Sequence, residues 1–189
     1  IKEAAEKIKK SKNPIIISGG GVFYSNAMEE LSNFATKHNI PVTQTVMGYS
    51  TMKRDHSHYA GQIGGLGGKN TNDLAKETDL AIAVGTKLAD FTTGSWANFE
   101  NEKFKLVSVN VSRFDANKHL AQAVVGDAKV SLIELSKALG DWKLGDEWNE
   151  KSQRELKIWN EHIDKESAPT NQEVPSYVQV IGAIFRYSE

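Results

Sequence analysis

The stretch Pro14–Gly21 reads PIIISGGG, three consecutive isoleucines preceded by a proline and followed by a serine and three glycines. A short, uninterrupted run of β-branched apolar residues is typical of a parallel strand that is buried on both faces. Glycines directly after such a strand permit a very tight turn toward the next element, because glycine tolerates close backbone approach and unusual dihedral angles. The stretch therefore predicts an α/β fold whose first strand lies inside a sheet.

The same pattern recurs along the chain, at Leu80–Val84 (LAIAV) and Leu106–Asn110 (LVSVN), and shorter runs at 41–45 and 123–125 predict two more strands. Helical periodicity falls between them. Strands that alternate with helices form a mainly parallel sheet with helices on both faces, so we expect a Rossmann-like three-layer sandwich. The predicted helices span residues 25–38, with Ser25 as the N-cap, 72–76, and 127–139, which ends at Gly140.

The character of the chain changes after Gly140, and we predict three segments. Residues 1–140 form the Rossmann-like domain, and the more polar residues 141–175 form a linking segment with one helix, whose apolar residues recur at helical spacing. Residues 176–189 read as the first helix of a following, truncated domain. Ser176, with Gln179 three residues later, is the start signal of that helix, and the pattern then stops abruptly.

Composition narrows the range of functions. The chain has 189 residues, of which 39% are hydrophobic and 25% charged, and its net charge is −1. Near neutrality gives no reason to expect nucleic acid or an anionic membrane surface as a partner. The absence of cysteine excludes disulfides, thiolate catalysis and cysteine zinc sites. No apolar run approaches the roughly 20 residues of a membrane span, so a cytoplasmic location is expected.

Candidate site residues follow the predicted strands, because parallel α/β sheets bind ligands at the carboxyl ends of their strands. The glycine run after the first strand is an incomplete dinucleotide fingerprint, since Tyr24 stands where the third glycine is needed. We interpret that run as a structural turn. The candidates for contacts with a nucleotide or with another domain are Gly19, Gly20, Gly21, Gly85, Lys87, Asp90, Asn110 and Asp127.

Three other features of the sequence give weaker evidence of a functional site. The glycine-rich loop Gly61–Gly68 lacks the ending of a nucleotide-triphosphate loop, so no such site is expected there. The sequence leaves two hypotheses open, a loop that faces a partner and a loop that contacts a ligand. His56 and His58 have no identifiable third ligand, so no metal site is expected. His119 lies near Asp115 in sequence without a nucleophile motif, which favours structural polar pairing and no catalytic residue in this chain.

The segment Gly85–Gly94 (GTKLADFTTG) resembles the strand-end signature of the central domain in thiamine-diphosphate enzymes. The resemblance covers about residues 1–140, in the order and spacing of that family. Further segments that carry it are 14–22, 39–42, 110–115 and 126–128.

Within that family, the chain more specifically resembles the hydrolases that open a cyclic 1,2-diketone during inositol breakdown. The segments 90–96, 110–119 and 175–183 carry this finer resemblance. Two positions depart from it, because Gly48-Tyr49-Ser50 stands where relatives commonly have Gly-Lys-Gly, and Ser57 stands where they have proline.

The resemblance implies that the chemistry lies elsewhere in the parent enzyme. In the family, an amino-terminal domain and a carboxyl-terminal domain hold thiamine diphosphate between them, the latter through magnesium on a Gly-Asp-Gly motif followed by Asn-Asn. Here Gly126-Asp127 continues with Ala128, and the sequence contains no Asn-Asn pair. The resemblance thus implies a scaffold and assembly domain whose partners are the other domains and subunits of a homo-oligomeric enzyme.

Two rival hypotheses remain at this point. One is a nucleotide-binding module for FAD or ADP, since some relatives carry such a ligand on this domain. The other is an independent sirtuin-like or dehydrogenase enzyme on the same fold, for which a positioned histidine with a matching motif is missing.

Overall fold

A computed structural model describes residues 1–170 and 172–188. Its centre is a six-stranded sheet in the order β3-β2-β1-β4-β5-β6, and every pairing between neighbours is parallel. This order confirms the predicted Rossmann-like three-layer fold, in which the chain changes direction across the sheet between β1 and β4. The strands are β1 (Pro14–Ser18), β2 (Val42–Gln44), β3 (Tyr59–Gln62), β4 (Leu80–Val84), β5 (Lys105–Asn110) and β6 (Gln122–Val125).

Helices cover both faces of the sheet. On one face, α1, α3 and α7 bury their apolar residues against Ile16, Ile82 and Val107, whereas α4 and the start of α8 cover the other face. The helices are α1 (Lys2–Lys9), α2 (Gly20–Tyr24), α3 (Met28–His38), α4 (Lys69–Glu77), α5 (Asp90–Thr93), α6 (Arg113–Ala116), α7 (Ala128–Leu139), α8 (Asp146–Glu166) and α9 (Tyr177–Tyr187).

The isoleucine run explains why β1 lies in the middle of the sheet. Successive side chains of a strand point to opposite faces, so Ile16 enters one core while Ile15 and Ile17 enter the other. All three side chains are fully buried. Burial of a side chain of this size stabilises the fold by about 1.5–3 kcal/mol, which makes this strand the natural centre of the two cores.

The predicted helix start at Ser25 is wrong. The chain enters α2 directly at Gly20, breaks at Asn26, which has a φ of +50°, and begins α3 only at Met28. The reason is the glycine turn, which lets the helical conformation begin immediately after β1 and buries Val22 completely. The predicted helix at 127–139 is confirmed, with Asp127 as the N-cap of α7.

The segment after Gly140 packs closely on the sheet domain. Trp148 of α8 is 6% exposed, and its indole Nε1 donates a hydrogen bond to Pro14 O at 2.9 Å. Gln153 Nε2, one turn later, donates to Tyr59 O at 2.9 Å, which covers the edge strand β3. The sequence analysis predicted that apolar residues recur at helical spacing on this helix. Of these residues, Trp148 and Leu156 are buried and Ile163 is exposed.

The last helix, α9, begins where it was predicted. The Ser176 hydroxyl accepts from Gln179 N at 3.3 Å, while Gln179 Oε1 accepts from Ser176 N at 2.8 Å, which completes the capping box. The division of the chain at 140 and 175 stays a prediction. Asn171 and Glu189, which fall in its second and third segments, lie outside the described residues. No helix in the described part of the chain is long and apolar enough to cross a membrane.

Candidate functional site

All eight predicted site residues lie in or directly beyond the carboxyl ends of strands, as follows from the parallel order of the sheet. Gly19–Gly21 follow β1, Gly85 and Lys87 follow β4, Asn110 ends β5, and Asp127 follows β6. Asp90 opens the short helix α5 beyond β4. Since β1 and β4 are neighbours at the point where the chain changes direction, these residues surround the place where the fold usually binds ligands.

At this edge of the sheet, Gly19 and Gly21 are in direct backbone contact with the end of β4 and the loop after it. Gly19 N donates to Val84 O and Gly21 N donates to Gly85 O, both at 2.9 Å. A Cβ atom on Gly19 would lie 2.5 Å from Gly85 O, and one on Gly21 would lie 2.6 Å from Gly85 Cα. The predicted structural turn is thus a close approach of two loops, and the Gly21 N–H group is already engaged within the chain.

Asn110 and Asp127 are also engaged locally. The Asn110 amide donates from Nδ2 to Thr86 O at 3.1 Å and accepts from Ser112 N at 2.9 Å, which ties the ends of β4 and β5 together. Asp127 Oδ1 accepts from Lys129 N at 2.9 Å as the cap of α7. A hydrogen bond from the Ser25 hydroxyl lowers the pKa of the Asp127 carboxyl, so this group is a carboxylate at neutral pH.

Lys87 and Asp90 differ from the other candidates because both side chains are exposed. Lys87 faces the region of Asp115, where the Lys118 ammonium, 2.6 Å from the carboxylate, lowers the pKa of Asp115 and the charge of Lys87 lowers it further. These two candidates, unlike Asn110, remain accessible to groups outside the chain.

The segment around Trp96 has an unusual backbone. Leu88, Ser95, Trp96 and His119 are non-glycine residues with φ between +50° and +71°. Such conformations cost about 1–3 kcal/mol each and often occur at functional sites. Asp115 pairs with Lys118, whereas His119 forms a hydrogen bond with the backbone of Leu88, and its ring lies 4.1 Å from the Trp96 ring between centroids. Burial, followed by the charge of Lys118, lowers the pKa of His119.

The sequence analysis missed a set of exposed apolar side chains at this same edge of the sheet. Each lies in the segment directly after one of the strands β1 to β5 and is at least 55% exposed. Where exposed apolar side chains form a patch, the patch often marks a surface that contacts other proteins or domains. The signal available in the sequence was an aromatic, methionine or leucine residue shortly after each strand. This set, the apolar rim, comprises Phe23, Tyr24, Met47, Tyr49, Leu66, Phe91, Val111 and Phe114.

The two remaining sequence features form internal contacts. His58 Nε2 lies 2.9 Å from Asn39 Oδ1, and burial lowers the pKa of His58 to about 4, so both nitrogens of this histidine serve a neutral structural network. The loop Gly61–Gly68 packs against α5, where Gly65 N donates to Phe91 O at 2.8 Å. Residues 1–170 and 172–188 contain no group of three or more His, Cys, Asp or Glu side chains that could hold a metal ion.

Known proteins are similar to this chain in sequence. The family model of the thiamine pyrophosphate enzyme central domain matches residues 1–135. A 3D-(3,5/4)-trihydroxycyclohexane-1,2-dione hydrolase from Clostridium perfringens (strain 13 / Type A) is 40% identical over 163 residues, which cover 86% of this chain and 26% of that protein. Hydrolases of the same name from Bacillus cereus and Bacillus anthracis are each 44% identical over 133 residues, 70% of this chain and 21% of theirs. The chain thus spans about a quarter of the length of these relatives or less.

Proposed function

The chain belongs to the central-domain family of thiamine pyrophosphate enzymes, and we propose that it is the scaffold of a hydrolase that cleaves a carbon–carbon bond of a cyclic 1,2-diketone. The proposed substrate class rests on relatives named as hydrolases of trihydroxycyclohexane-1,2-dione, a ring with two adjacent carbonyl groups. The corresponding place in metabolism is the breakdown of inositol. Because the chain spans only part of those relatives, these properties are proposed for the whole protein.

The role proposed for this chain is assembly, and the apolar rim is the observation that carries it. The rim leaves large side chains such as Tyr24 and Phe114 more than 70% exposed at the edge where the N–H groups of Gly19 and Gly21 are engaged within the chain. Water is an unfavourable environment for these groups, so their burial against other domains or subunits of a homo-oligomer would stabilise the enzyme. We assign the exposed Lys87 and Asp90 to polar contacts in that interface.

Thiamine diphosphate and magnesium are proposed to bind to other domains of the enzyme. Magnesium requires a set of oxygen ligands, usually carboxylates together with phosphate oxygens. The described residues gather no such set, and Asp127, the nearest match to the family's diphosphate motif, caps α7 with its Oδ1 atom. We therefore assign no step of the reaction to the described residues of this chain.

A pair of measurements tests the proposal. In the full-length enzyme, Met47→Lys should abolish most of the diketone hydrolysis by weakening the contact of the rim with its partner, while the isolated chain with the same substitution keeps its melting temperature. Ile158→Lys, an exposed apolar position on α8, is the matched control and should leave activity unchanged.

The isolated chain provides the second measurement. Calorimetry should detect no binding of thiamine diphosphate with magnesium, and the purified chain should lack the visible absorption of a flavin. Micromolar cofactor binding by this chain would contradict the scaffold role, and a tightly held flavin would support the nucleotide-binding hypothesis instead.

A further inference from the structure

A cavity of about 400 Å³ lies at the opposite, amino edge of the sheet, where α1 ends and β4 and β5 begin. Lysine side chains from separate parts of the chain surround it. Lys7 lies in the last turn of α1 and Lys10 caps that helix, while Lys12 lies in the turn before β1. Lys103 lies shortly before β5, and Lys105 is its first residue. We call this cavity the lysine basin.

The positive charge of the lysine basin is not balanced within the chain. Five lysines and two acidic residues, Asp79 and Glu102, line the cavity, which is an excess of three positive charges (5 − 2) in a chain whose net charge is −1. Asp79 already accepts hydrogen bonds from Lys12 N at 2.8 Å and Asn13 N at 2.9 Å. Among the described residues, no carboxylate lies within 4.0 Å of any of the five ammonium groups.

The helix dipole explains only part of this arrangement. Lysines in the last turn of α1 interact favourably with the partial negative charge at the end of the helix. That argument does not apply to Lys103 and Lys105, which come from the opposite wall. Lys105 is held there because its backbone N–H donates to Asp79 O at 2.9 Å, beside the first residues of β4.

We propose that the lysine basin binds a small anion with several phosphate charges, such as a free polyphosphate or the polyphosphate of a nucleotide. Lysine binds phosphate as a point charge, and several lysines around one cavity provide the charge that several phosphate groups require. The volume lies within the range of about 300–1,000 Å³ that is usual for small-molecule sites. Phe104 supplies an apolar wall whose ring is fixed by stacking on Phe99, with centroids 4.5 Å apart.

Calorimetry of the 189-residue chain with sodium tripolyphosphate, at low and at high salt, tests the proposal. We expect saturable binding with a stoichiometry of one, which weakens as salt screens the charges. The double variant Lys12→Gln/Lys105→Gln should bind about tenfold more weakly or worse. The control Lys157→Gln/Lys165→Gln changes the net charge equally on the distant helix α8 and should bind like the parent. Non-saturable binding, or an equal loss in the control, overturns the proposal.

Titration with ATP distinguishes the two sources of the phosphate charges. If a nucleotide is the ligand, ATP binds more tightly than tripolyphosphate, and Phe104→Leu weakens the binding of ATP alone. If free polyphosphate is the ligand, the two anions bind similarly and Phe104→Leu changes neither. Both outcomes support the anion site, whereas failure of both anions to bind overturns it, independently of whether the chain serves as an assembly domain.

Discussion

Gly19 and Gly21 are required by a neighbouring loop and not by their own dihedral angles. Positive φ occurs at Gly85, which lies opposite them, whereas neither of the two glycines has it. The close approach predicted from the glycine run is confirmed, but its partner is more than 60 positions away along the chain, so no local pattern could have identified it.

Gly19→Ala and Gly21→Ala should each destabilise the ligand-free chain by about 1–3 kcal/mol, because the added methyl group overpacks a backbone contact. Gly20→Ala should have a smaller effect, since its Cβ would lie 3.1 Å from Met47 O. Thermal melts measure these changes. Gly145→Ala is the control, because no atom lies within 4 Å of its Cβ position. If the first two variants melt at or above the parent's temperature, the glycines are not needed for packing.

The chain should lose stability in acid through His58. Burial lowers the pKa of His58 from its usual 6.5 to about 4 in the folded state. The unfolded state therefore binds a proton below about pH 6.5 that the folded state does not accept until about pH 4. Stability is fully present at neutral pH and falls over this interval, by about 2 kcal/mol at pH 5 and about 3 kcal/mol in all.

Urea unfolding at pH 7 and pH 5 checks this expectation. His58→Gln removes the titrating group while its amide can still donate to Asn39 Oδ1, so this variant should lose less stability between the two pH values. His162→Gln, an exposed histidine on α8, should behave like the parent. Equal pH dependence of the parent and His58→Gln would show that other groups cause the effect.

At the scale of secondary structure, five of the six strands were predicted from the sequence and β3 was not. β1 and β4 are buried on both faces, so their sequences are nearly continuous apolar runs that predict a buried strand without information from the rest of the chain. β3 was missed because its sequence YAGQ contains no β-branched residue and includes Gly61, which has a φ of +109°. Its existence depends on pairing with β2 and on cover from α8.

Trp148 helps to attach helix α8 to the sheet domain, because it supplies both a buried ring and a hydrogen bond. Trp148→Ala should destabilise the chain by about 3–5 kcal/mol because it leaves a cavity. Trp148→Phe should cost less, since the ring remains and the hydrogen bond from Nε1 to Pro14 O is lost, which leaves a buried carbonyl unpaired.

Denaturant unfolding, followed by limited proteolysis within 146–166, measures the attachment of α8. Ile158→Ala on the exposed side of the same helix is the control and should change stability little. If Trp148→Ala releases α8 for proteolysis while the sheet domain keeps its stability, the predicted boundary after residue 140 is also an energetic one. A single cooperative loss of stability would instead place α8 in the same folding unit.

At the scale of the whole molecule, the two edges of the sheet have opposite character. The carboxyl edge carries the apolar rim, and the amino edge carries the lysine basin. The fold class was predictable because each strand and each helix has its own local sequence pattern, and the alternation of these patterns indicates the fold. The parallel order also places the segments after the strands at one edge, but local periodicity does not show which apolar side chains in those segments are exposed, so the rim was missed.

The apolar rim should make the isolated chain associate with itself or bind hydrophobic dyes, since no other domain covers it. The double variant Met47→Lys/Leu66→Lys places charges on two loops of the rim, at positions that are 71% and 66% exposed, so it should not disturb the core. We expect its self-association to be about tenfold weaker in sedimentation experiments, with an unchanged melting temperature. Val130→Lys/Ile158→Lys introduces the same charges at exposed positions on α7 and α8 and should associate like the parent. If both double variants weaken association equally, the effect is one of net charge, and the carboxyl edge is not a distinct contact surface.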